Sequence, residues 1–507
     1  MKRMAGLLCA AMTALACASS AMARSGKLFF YPPRVTPNPA VQVCTADVPV
    51  YLDKSIKFSV VCPDPLATDW VKGKLKLWFD IVPEIQQKTI APGTVVHDDG
   101  YELEAKPGEI LIWAKTLQGV RYAMYTLRQS AERVSGGLTA KRYWLAQLKI
   151  KDAPKSGYDF RGLNLVWITR TTLEMERFVR LAAYYKYNYL VVHIDGWFVS
   201  KRFPWMNRTD AVLTQELARR LFDLGKDLGV TIIPACSLLS HAASAYEKRG
   251  THPVLDVHPE YEPLFEPDGG FNFCLSNPEA RRICREYVAE IHEAFGNPPF
   301  VHIGADEMNA PTCPTCRAVN YAGLIGQQIT EISDLLRKRG ARTMIWHDAL
   351  LSRDDPRWKP YFYAGGFEGT EEMTKSLAKD IVICDWYYGN YAEGGKTDPG
   401  GYPTLDYFKS LGFDTITCPF HDMPAYKLQC AHARKMGLMG VMATTWDDGD
   451  LQLMRVIQGA ANDIWGANPE QRAGDIQSSN CWRQMGWDSG VSHQRDGGYP
   501  RSFLLKF

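Results

Sequence analysis

The sequence lacks an excess of charge of either sign. It carries 58 Lys and Arg residues against 56 Asp and Glu residues, a formal net charge of +2 over 507 residues. No long block of Lys and Arg occurs along the chain. A protein that binds nucleic acid presents a basic face to the phosphates. We therefore expect no nucleic-acid partner.

Long apolar runs are also missing after the first residues. Residues 1–23 are typical of a signal peptide, in which a charged start precedes the apolar stretch Ala5–Ala18 and a small-x-small cleavage site at Ala21–Ala23. That stretch is too short to span a bilayer, and no later segment predicts a membrane span. We expect an exported protein, periplasmic or extracellular. Lipid attachment at Cys17 is the weaker alternative, because Ala14 fits poorly three residues before that cysteine.

Motifs for binding a metal are scarce. Cys313-Pro-Thr-Cys316 has a spacing found in zinc sites, but neither a second such pair nor His ligands lie nearby in the sequence. A structural zinc site, a local disulfide and two free thiols all remain open for this pair. We expect no metal in the reaction and no cofactor.

Repeated βα units fill most of the chain. From Phe160 onward, short apolar strands alternate with helical segments, which is the pattern of an α/β fold with a parallel sheet. The candidate strands are Phe160–Val166, Tyr189–Ile194, Thr231–Pro234, Phe300–Gly304, Arg342–Trp346, Ile381–Trp386, Thr415–Cys418 and Val441–Trp446. Eight such units predict a (β/α)8 TIM barrel, in which reactive groups gather at the C-terminal ends of the strands.

The domain boundaries follow from this change of pattern. After the signal peptide at 1–23, residues 24–155 are first strand-rich and then helical, which predicts a small α+β domain. The barrel is expected over 156–470, and 471–507 form a C-terminal tail.

Polar and aromatic side chains recur where the predicted strands end. Two adjacent acids, Asp306 and Glu307, follow the fourth strand across a Gly304-Ala305 step. The other strand ends supply a set of candidates for substrate binding: Arg161, His193, Asp195, His241, Trp346, Asp348, Trp386, Trp446, Asp447 and Asp448. Because strand ends of a barrel meet at one mouth, we expect these side chains to form one site.

The central motif resembles that of a known family. His302-Ile-Gly304-Ala305-Asp306-Glu307 is similar to the His-x-Gly-Gly-Asp-Glu motif of the glycoside hydrolase family 20 β-N-acetylhexosaminidases, with Ala in place of one Gly. Further segments resemble the same family in the same order: "FRGLNL", "YYKYNYLVVHIDGW", "IIPACSLLSH", "SNPEARR" and, before the barrel, "GYELE…GVRYAMYTLRQ". The similarity covers roughly residues 95 to 465.

The resemblance implies a function for several residues. Asp306 and Glu307 would be catalytic, and Arg161 would bind sugar hydroxyls. His193, Asp195 and His241 would line the mouth, with Trp346, Trp386 and Trp446 as aromatic contacts and Asp448 as a sugar ligand. The implied substrate is a carbohydrate that ends in N-acetylhexosamine.

The sequence departs from the family where specificity would be set. Acidic positions of the third-strand motif are Ala235 and Ser237 here, and Asp448 replaces a Glu of the eighth strand. The family's Trp-Tyr pair on the seventh strand is replaced by Cys418-Pro-Phe420-His421. Candidates for the missing Tyr, which would steady the acetamido group, are Tyr387, Tyr388 and Tyr391.

The adjacent acids favour one mechanism over the usual one. Most glycosidases use two separated carboxylates that flank the glycosidic bond, whereas neighbouring side chains on an extended chain diverge. In substrate-assisted catalysis the 2-acetamido oxygen of the sugar is the nucleophile instead. Asp306 would then orient and stabilise the acetamido group, while Glu307 would be the general acid and later the general base.

Three functions remain open at this point. The first is an exported exo-β-N-acetylhexosaminidase, the second a related barrel glycosidase for another terminal sugar, and the third a carbohydrate-binding homologue without turnover. The preferred N-acetyl sugar, the linkage and the oligomeric state do not follow from the sequence.

Overall fold

The computed structural model divides the chain into two compact units, one that includes residues up to Lys155 and one formed by Ser156–Ile464. The residues that the structure describes are 49–88, 97–133, 143–154, 158–166, 171–208, 210–243, 254–267, 269–358, 364–388, 401–420, 423–446 and 450–465. The expected signal peptide and C-terminal tail lie outside these ranges, and the predicted domain boundaries stay a prediction. Within these ranges, no helix is both long and apolar enough to cross a membrane.

The first unit contains two small sheets and two helices within the described ranges. The larger sheet has the order β3-β2-β5-β4-β8, and the smaller has the order β1-β7-β6. The strands are β1 Pro49–Leu52, β2 Lys57–Val61, β3 Ile85–Lys88, β4 Tyr101–Lys106, β5 Glu109–Ala114, β6 Glu132–Arg133, β7 Tyr143–Ala146 and β8 Leu148–Asp152, and the helices are α1 Ala67–Phe79 and α2 Leu117–Ser130. Strands β4 and β5 alternate buried and partly buried residues, as expected for a sheet with one face on the core.

The second unit is built around a closed barrel of eight parallel strands. Its strands are β9 Phe160–Val166, β10 Tyr189–His193, β11 Thr231–Ala235, β12 Phe300–His302, β13 Arg342–Trp346, β14 Val382–Asp385, β15 Asp414–Thr417 and β16 Gly440–Thr444. The predicted (β/α)8 barrel is therefore confirmed. The β9 and β13 bounds match the prediction, and the other strands differ from it by one or two residues at their ends.

Helices connect the strands of the barrel. They are α3 Thr172–Tyr184, α4 Gln215–Leu228, α5 Val254–Val257, α6 Pro278–Ala294, α7 Pro314–Arg317, α8 Tyr321–Lys338, α9 Met373–Ser376, α10 Pro403–Ser410, α11 Met423–Met436 and α12 Asp450–Trp465, with 3₁₀ turns at Pro204–Met206, Pro259–Leu264, Asp348–Leu350 and Thr370–Glu372. Local sequence sets their ends: Thr171 and Glu174 form a capping box at the start of α3. Gly229 ends α4 in the left-handed region at φ 81°, where a glycine is favoured.

The interior of the barrel is filled by two sets of rings at different heights. Near the N-terminal ends of the strands, Phe160 stacks on Tyr189 with 4.2 Å between ring centroids, and Phe300 meets both rings edge-on. We call these three residues the lower ring layer. It is almost wholly hydrocarbon, so it closes the barrel at this end as a packed core.

A second set of rings lies where the strands end. Trp346 lies parallel to His193, with 6.0 Å between ring centroids, and is 4.4 Å from His302 and 5.6 Å from Trp446. We call these four residues the upper ring layer. Because this layer lies at the C-terminal ends of the strands, it forms the floor beneath the mouth of the barrel.

Candidate active site

The two adjacent acids follow a sharp turn at the end of β12. Gly304 and Ala305 both have φ 73°, and Glu307 has φ 51°, so three residues out of four are in the left-handed region. For residues other than Gly this region is strained, and such strain concentrates at functional sites. The turn takes Asp306 and Glu307 out of the strand direction. A Cβ on Gly304 would lie 3.2 Å from the Ser237 Cα, so the turn also packs closely on the residues after β11.

His241 contacts both acids with one nitrogen. Its Nε2 is 3.4 Å from Asp306 Oδ2 and 3.4 Å from Glu307 Oε2. Burial alone would lower the pKa of His241, but the two carboxylates outweigh it and raise the pKa well above the usual value. The imidazole is therefore cationic at neutral pH. The ring of Phe271 covers His241, with 4.5 Å between centroids.

The two acids lie in different environments. The side chain of Asp306 is 18% exposed, whereas that of Glu307 is 56% exposed. Burial raises the pKa of Asp306, but the charge of His241 and its hydrogen bond prevail and lower it. Asp306 is thus a partly buried anion with a fixed cation beside it. Glu307 is the acid that can reach solvent or a leaving group.

Asp348 holds the backbone of Glu307 from the neighbouring strand end. The Glu307 N–H donates to Asp348 Oδ2 at 2.6 Å, and Trp386 Nε1–H donates to Oδ1 at 2.9 Å. Burial, together with the nearby charge of Asp306, raises the pKa of Asp348, and these two donors oppose the rise. A Cβ on Gly365 would lie 2.1 Å from Asp348 Oδ2, so only glycine fits at that position.

His193 and Asp195 form a second pair beside the acids. His193 Nδ1 lies 3.9 Å from Asp195 Oδ2, and Asp195 Oδ1 accepts a hydrogen bond from the Ser237 N–H at 2.6 Å. Both side chains are almost fully buried. This pair ties the ends of β10 and β11 together next to the upper ring layer.

His302 lies beneath the turn that carries the acids. Its Nδ1 accepts a hydrogen bond from the Gly304 N–H at 3.1 Å, so the neutral ring carries its proton on Nε2. Burial lowers the pKa of His302 to about 3, with the nearby His193 acting in the same direction. His302 is therefore a neutral support of the turn and does not exchange protons near neutral pH.

Aromatic side chains line the mouth on the side of β14 to β16. Trp446 Nε1–H donates to the Tyr388 hydroxyl at 2.8 Å. The Tyr388 ring lies 5.4 Å from that of Trp386 and 5.3 Å from that of Phe420. All four are partly exposed, so they offer flat apolar faces together with a hydroxyl.

The structure brings most of the predicted site residues together. Asp306, Glu307, His193, Asp195, His241, Trp386 and Trp446 all lie around the mouth, at the C-terminal ends of the strands or in the loops that follow. Asp448, Asp447 and Tyr391 lie outside the described residues. Of the remaining Tyr candidates, Tyr387 is 2% exposed, whereas Tyr388 is partly exposed among the mouth aromatics.

Arg161 requires a correction. It is the second residue of β9, near the N-terminal end of the strand, and is 1% exposed. Its guanidinium donates to the backbone oxygens of Tyr158 and Lys186, which precede β9 and β10. These contacts hold it at the opposite end of the barrel from the acids. The structure therefore does not place Arg161 at the mouth, where it was expected, because Arg161 is the second residue of β9 and the strand continues to Val166 before it reaches the mouth.

Trp346 also differs from its expected role. It is 1% exposed and belongs to the core of the barrel. It packs beneath the site as part of the upper ring layer, so it supports the mouth without presenting an open face to a ligand.

Three features of the site were not predicted. The hydrogen bond from Glu307 to Asp348, and the need for Gly365 beside it, depend on contacts between residues far apart in the chain. The position of Asp348, two residues after the end of β13, was the available signal. Phe271 was missed as well, since nothing in its sequence context marks it as the cover of His241.

Comparison with known proteins identifies the barrel. Residues 158–466 match the family described as glycosyl hydrolase family 20, catalytic domain. A β-hexosaminidase subunit β of Entamoeba histolytica is 27% identical over 226 residues, which cover 42% of this chain and 38% of that protein. A β-N-acetylhexosaminidase of Cellulomonas fimi is 24% identical over 295 residues, which cover 54% of this chain and 55% of that protein. The chain thus spans about four tenths to two thirds of the length of the curated relatives it matches.

Solved structures share the fold. An exo-β-N-acetylglucosaminidase of Vibrio harveyi, in complex with N-acetylglucosamine, superposes with a TM-score of 0.62 at 18% identity and covers 89% of this chain and 76% of that one. A β-N-acetylhexosaminidase of Bacteroides fragilis gives a TM-score of 0.63 at 17% identity, with 90% and 97% covered. Because the family match extends over more than half of the chain, the protein belongs to glycosyl hydrolase family 20.

Proposed function

We propose that the protein is an exo-acting β-N-acetylhexosaminidase that removes terminal β-linked N-acetylglucosamine or N-acetylgalactosamine from glycans. Family membership and the names of the curated relatives support a hydrolase for this class of sugar. The observation that carries the proposal is the arrangement of Asp306, Glu307 and His241, in which one imidazole contacts two adjacent acids.

The reaction we propose is substrate-assisted and retaining. The acetamido oxygen of the sugar attacks the anomeric carbon and displaces the leaving group, which gives a cyclic oxazolinium ion. Asp306 stabilises the positive charge that develops on the acetamido group. The lowered pKa of Asp306 beside His241 keeps it anionic for this role.

Glu307 supplies the proton transfers in this proposal. It donates a proton to the leaving oxygen, and in the second step its carboxylate takes a proton from the water that opens the oxazolinium ion. The exposure of its side chain suits both events, because the leaving group and the water arrive from the mouth. Asp348 fixes the Glu307 backbone, so the side chain of Glu307 moves while its backbone stays in place.

The mouth aromatics would hold the sugar. The faces of Trp386 and Trp446 suit the apolar face of a pyranose ring, and the Tyr388 hydroxyl is the described candidate to steady the acetamido group. The proposed partner is therefore a carbohydrate that ends in an N-acetylhexosamine.

We also propose that residues 1–23 direct export of the protein. Mass spectrometry of the mature chain should find Arg24 as its first residue.

A panel of chromogenic aryl glycosides tests the substrate class. We expect hydrolysis of the N-acetylglucosaminide, the N-acetylgalactosaminide or both, with no comparable rate on the glucoside or galactoside. Cleavage of the glucoside as fast as the N-acetylglucosaminide would exclude substrate assistance and leave a related glycosidase. Binding of N-acetylhexosamines without any turnover would instead indicate a carbohydrate-binding homologue.

Weakening the acetamido group tests the mechanism with the protein unchanged. Progressive fluorination of the N-acetyl methyl withdraws electrons from the carbonyl oxygen, so kcat/KM should fall steeply along the series. Asp306→Asn should lower kcat because the anion is lost, while Asp223→Asn, an exposed substitution on α4, is the matched control. A cyclic thiazoline that mimics the intermediate should bind more tightly than the product sugar. A kcat/KM that stays the same along the fluorinated series would refute the substrate-assisted mechanism.

A further inference from the structure

Three thiols and one carboxylate converge beside the active site. Cys274 and Cys316 lie with their sulfur atoms 3.6 Å apart, and Cys274 and Cys313 lie 4.0 Å apart. A carboxylate oxygen of Glu266 joins them, and all four donor atoms are within 4.8 Å of one another. We call these four residues the thiol–carboxylate cluster. Cys313 is partly exposed, and the other three residues are buried.

The spacing of the sulfur atoms suits a tetrahedral metal ion. Zinc binds thiolates at about 2.3 Å, which places sulfur ligands about 3.8 Å apart at the corners of a tetrahedron. The separations of 3.6 Å and 4.0 Å from the Cys274 sulfur lie on either side of that value. The C-x-x-C spacing of Cys313 and Cys316 is common among zinc ligands, and soft thiolates favour zinc over the hard divalent cations.

Glu266 is arranged as the fourth ligand. Its Oε2 accepts hydrogen bonds from the Thr312 N–H at 2.7 Å and the Cys313 N–H at 2.7 Å, and lies 3.3 Å from the Thr312 hydroxyl. Its Oε1 is buried without a hydrogen-bond partner. An unpartnered carboxylate oxygen in a buried site is costly. Hydrogen bonds that orient one oxygen while the other faces the ion are usual around metal-bound carboxylates.

A disulfide accounts for less of this arrangement. It could join only two of the three sulfurs, and the third thiol would then remain beside the buried Glu266 carboxylate. The cluster also holds three sulfurs at separations too long for S–S bonds, which are about 2.05 Å. One ion uses all four donors at once.

We propose that the thiol–carboxylate cluster binds one zinc ion that joins the loop after β11 to the loop after β12. Binding converts three thiols into thiolates, and their protons pass to solvent. The site is structural because all four positions around the ion are filled by protein, which leaves none for a substrate or a reactive water.

The joined loops carry parts of the candidate active site. The loop after β11 holds Phe271 over His241, and Asn272 Nδ2–H donates to the Asn309 backbone oxygen in the loop that follows Glu307. Zinc would therefore fix the positions of His241 and Glu307 relative to each other. This gives the ion an effect on turnover without contact with the substrate.

Metal analysis of the purified full-length chain is the direct test. We expect about one zinc per chain by plasma mass spectrometry when no chelator is used. Replacement by Co²⁺ should give the intense visible bands of a tetrahedral site and a thiolate-to-cobalt charge-transfer band. Cys313→Ala should lower the zinc content by at least about tenfold, and the buried Cys430→Ala is the control that should keep it.

The wild-type chain decides the question even where the Cys313 variant fails to fold. Thiol alkylation before and after reduction counts the free and paired cysteines. A disulfide among Cys274, Cys313 and Cys316 would overturn the proposal, as would a chain that takes up neither zinc nor cobalt. Glu266→Gln should weaken zinc affinity while the three thiols still bind, and an unchanged affinity would remove Glu266 from the ligand set.

Discussion

The two ring layers inside the barrel have the same architecture and opposite chemistry. The lower ring layer of Phe160, Tyr189 and Phe300 is packed hydrocarbon. The upper ring layer replaces such rings with two imidazoles and two indoles, and the acids lie directly above it. Both layers fill a barrel interior. Only the upper one provides a ring nitrogen that supports the strained turn, beneath the partly buried Asp306 carboxylate.

The difference shows how one barrel divides stability from chemistry. At the lower end of the barrel, Arg161 is buried, and its guanidinium donates hydrogen bonds to backbone oxygens of residues that precede β9 and β10. At the upper end, Asp306 depends on the charge of His241 to remain an anion. Replacing polar residues at the lower end should therefore lower the stability of the fold and leave activity unchanged. Replacing polar residues at the upper end should lower activity before it unfolds the protein.

Removing the proposed general acid should have the largest effect. Glu307→Gln is expected to lower kcat by about a hundred- to ten-thousand-fold, the usual contribution of general acid–base catalysis. Substrates with very acidic phenol leaving groups need least protonation and should suffer least. Steady-state kinetics over a series of aryl N-acetylglucosaminides measures this. A loss that is equal for good and poor leaving groups would refute the acid role.

His241→Gln should have the next largest effect and should change the pH profile. Losing a charged hydrogen bond of roughly 1.5–3 kcal/mol lowers kcat/KM by about ten- to a hundredfold. Burial raises the pKa of Asp306 and His241 lowers it, so without the cation the pKa rises. The acidic limb of kcat/KM against pH should move to higher pH. An unmoved limb would mean that Asp306 does not set it.

Matched substitutions in the two ring layers compare the ends of the barrel directly. Phe300→Leu and Trp346→Leu should each lower the free energy of unfolding by about 1–3 kcal/mol. Only Trp346→Leu should also lower kcat/KM, because it disturbs the support of His193 and His302. Denaturant unfolding and kinetics on both variants decide this. Equal losses of activity would show that the layers act as one.

The smallest effect concerns the strained turn itself. Ala305→Gly should raise the free energy of unfolding by up to about 1 kcal/mol, because glycine adopts φ 73° without the steric cost of a Cβ. Part of this gain is lost to the greater entropy of glycine in the unfolded chain. Thermal unfolding measures the change. A destabilised variant would indicate that packing of the buried Ala305 methyl outweighs the strain.

Much of the barrel could be predicted because its signal is local. Alternation of apolar strands with helices gave the fold, and β9 and β13 were placed with their observed bounds. The predicted fourth strand was too long, since Gly304 leaves the extended region at φ 73°. Periodicity does not report a change of φ at a single residue.

The site was predicted in part for a related reason. Side chains at strand ends converge by topology alone, which is why the sequence predicts that His241 and Asp195 lie near Asp306. Arg161 lies on the same strand as such residues but at its other end, and a motif does not convey that distance. The sequence pointed to Cys313 and Cys316 as a pair, but Glu266 and Cys274 join them only through folding across about forty residues, so these two partners could not be predicted.

The closure of the barrel has a consequence for how the chain is made. Strand β9 pairs with β16, so Phe160 and Gly440 become neighbours although 280 residues separate them. Contacts at such long range form slowly, since the intervening loop must be closed first. During synthesis the first seven barrel strands, β9 to β15, cannot form a closed barrel until β16 has left the ribosome. Until then a row of backbone groups on β9 stays unpaired. This interval is when a chaperone that holds unfolded chains would have the most exposed surface to bind.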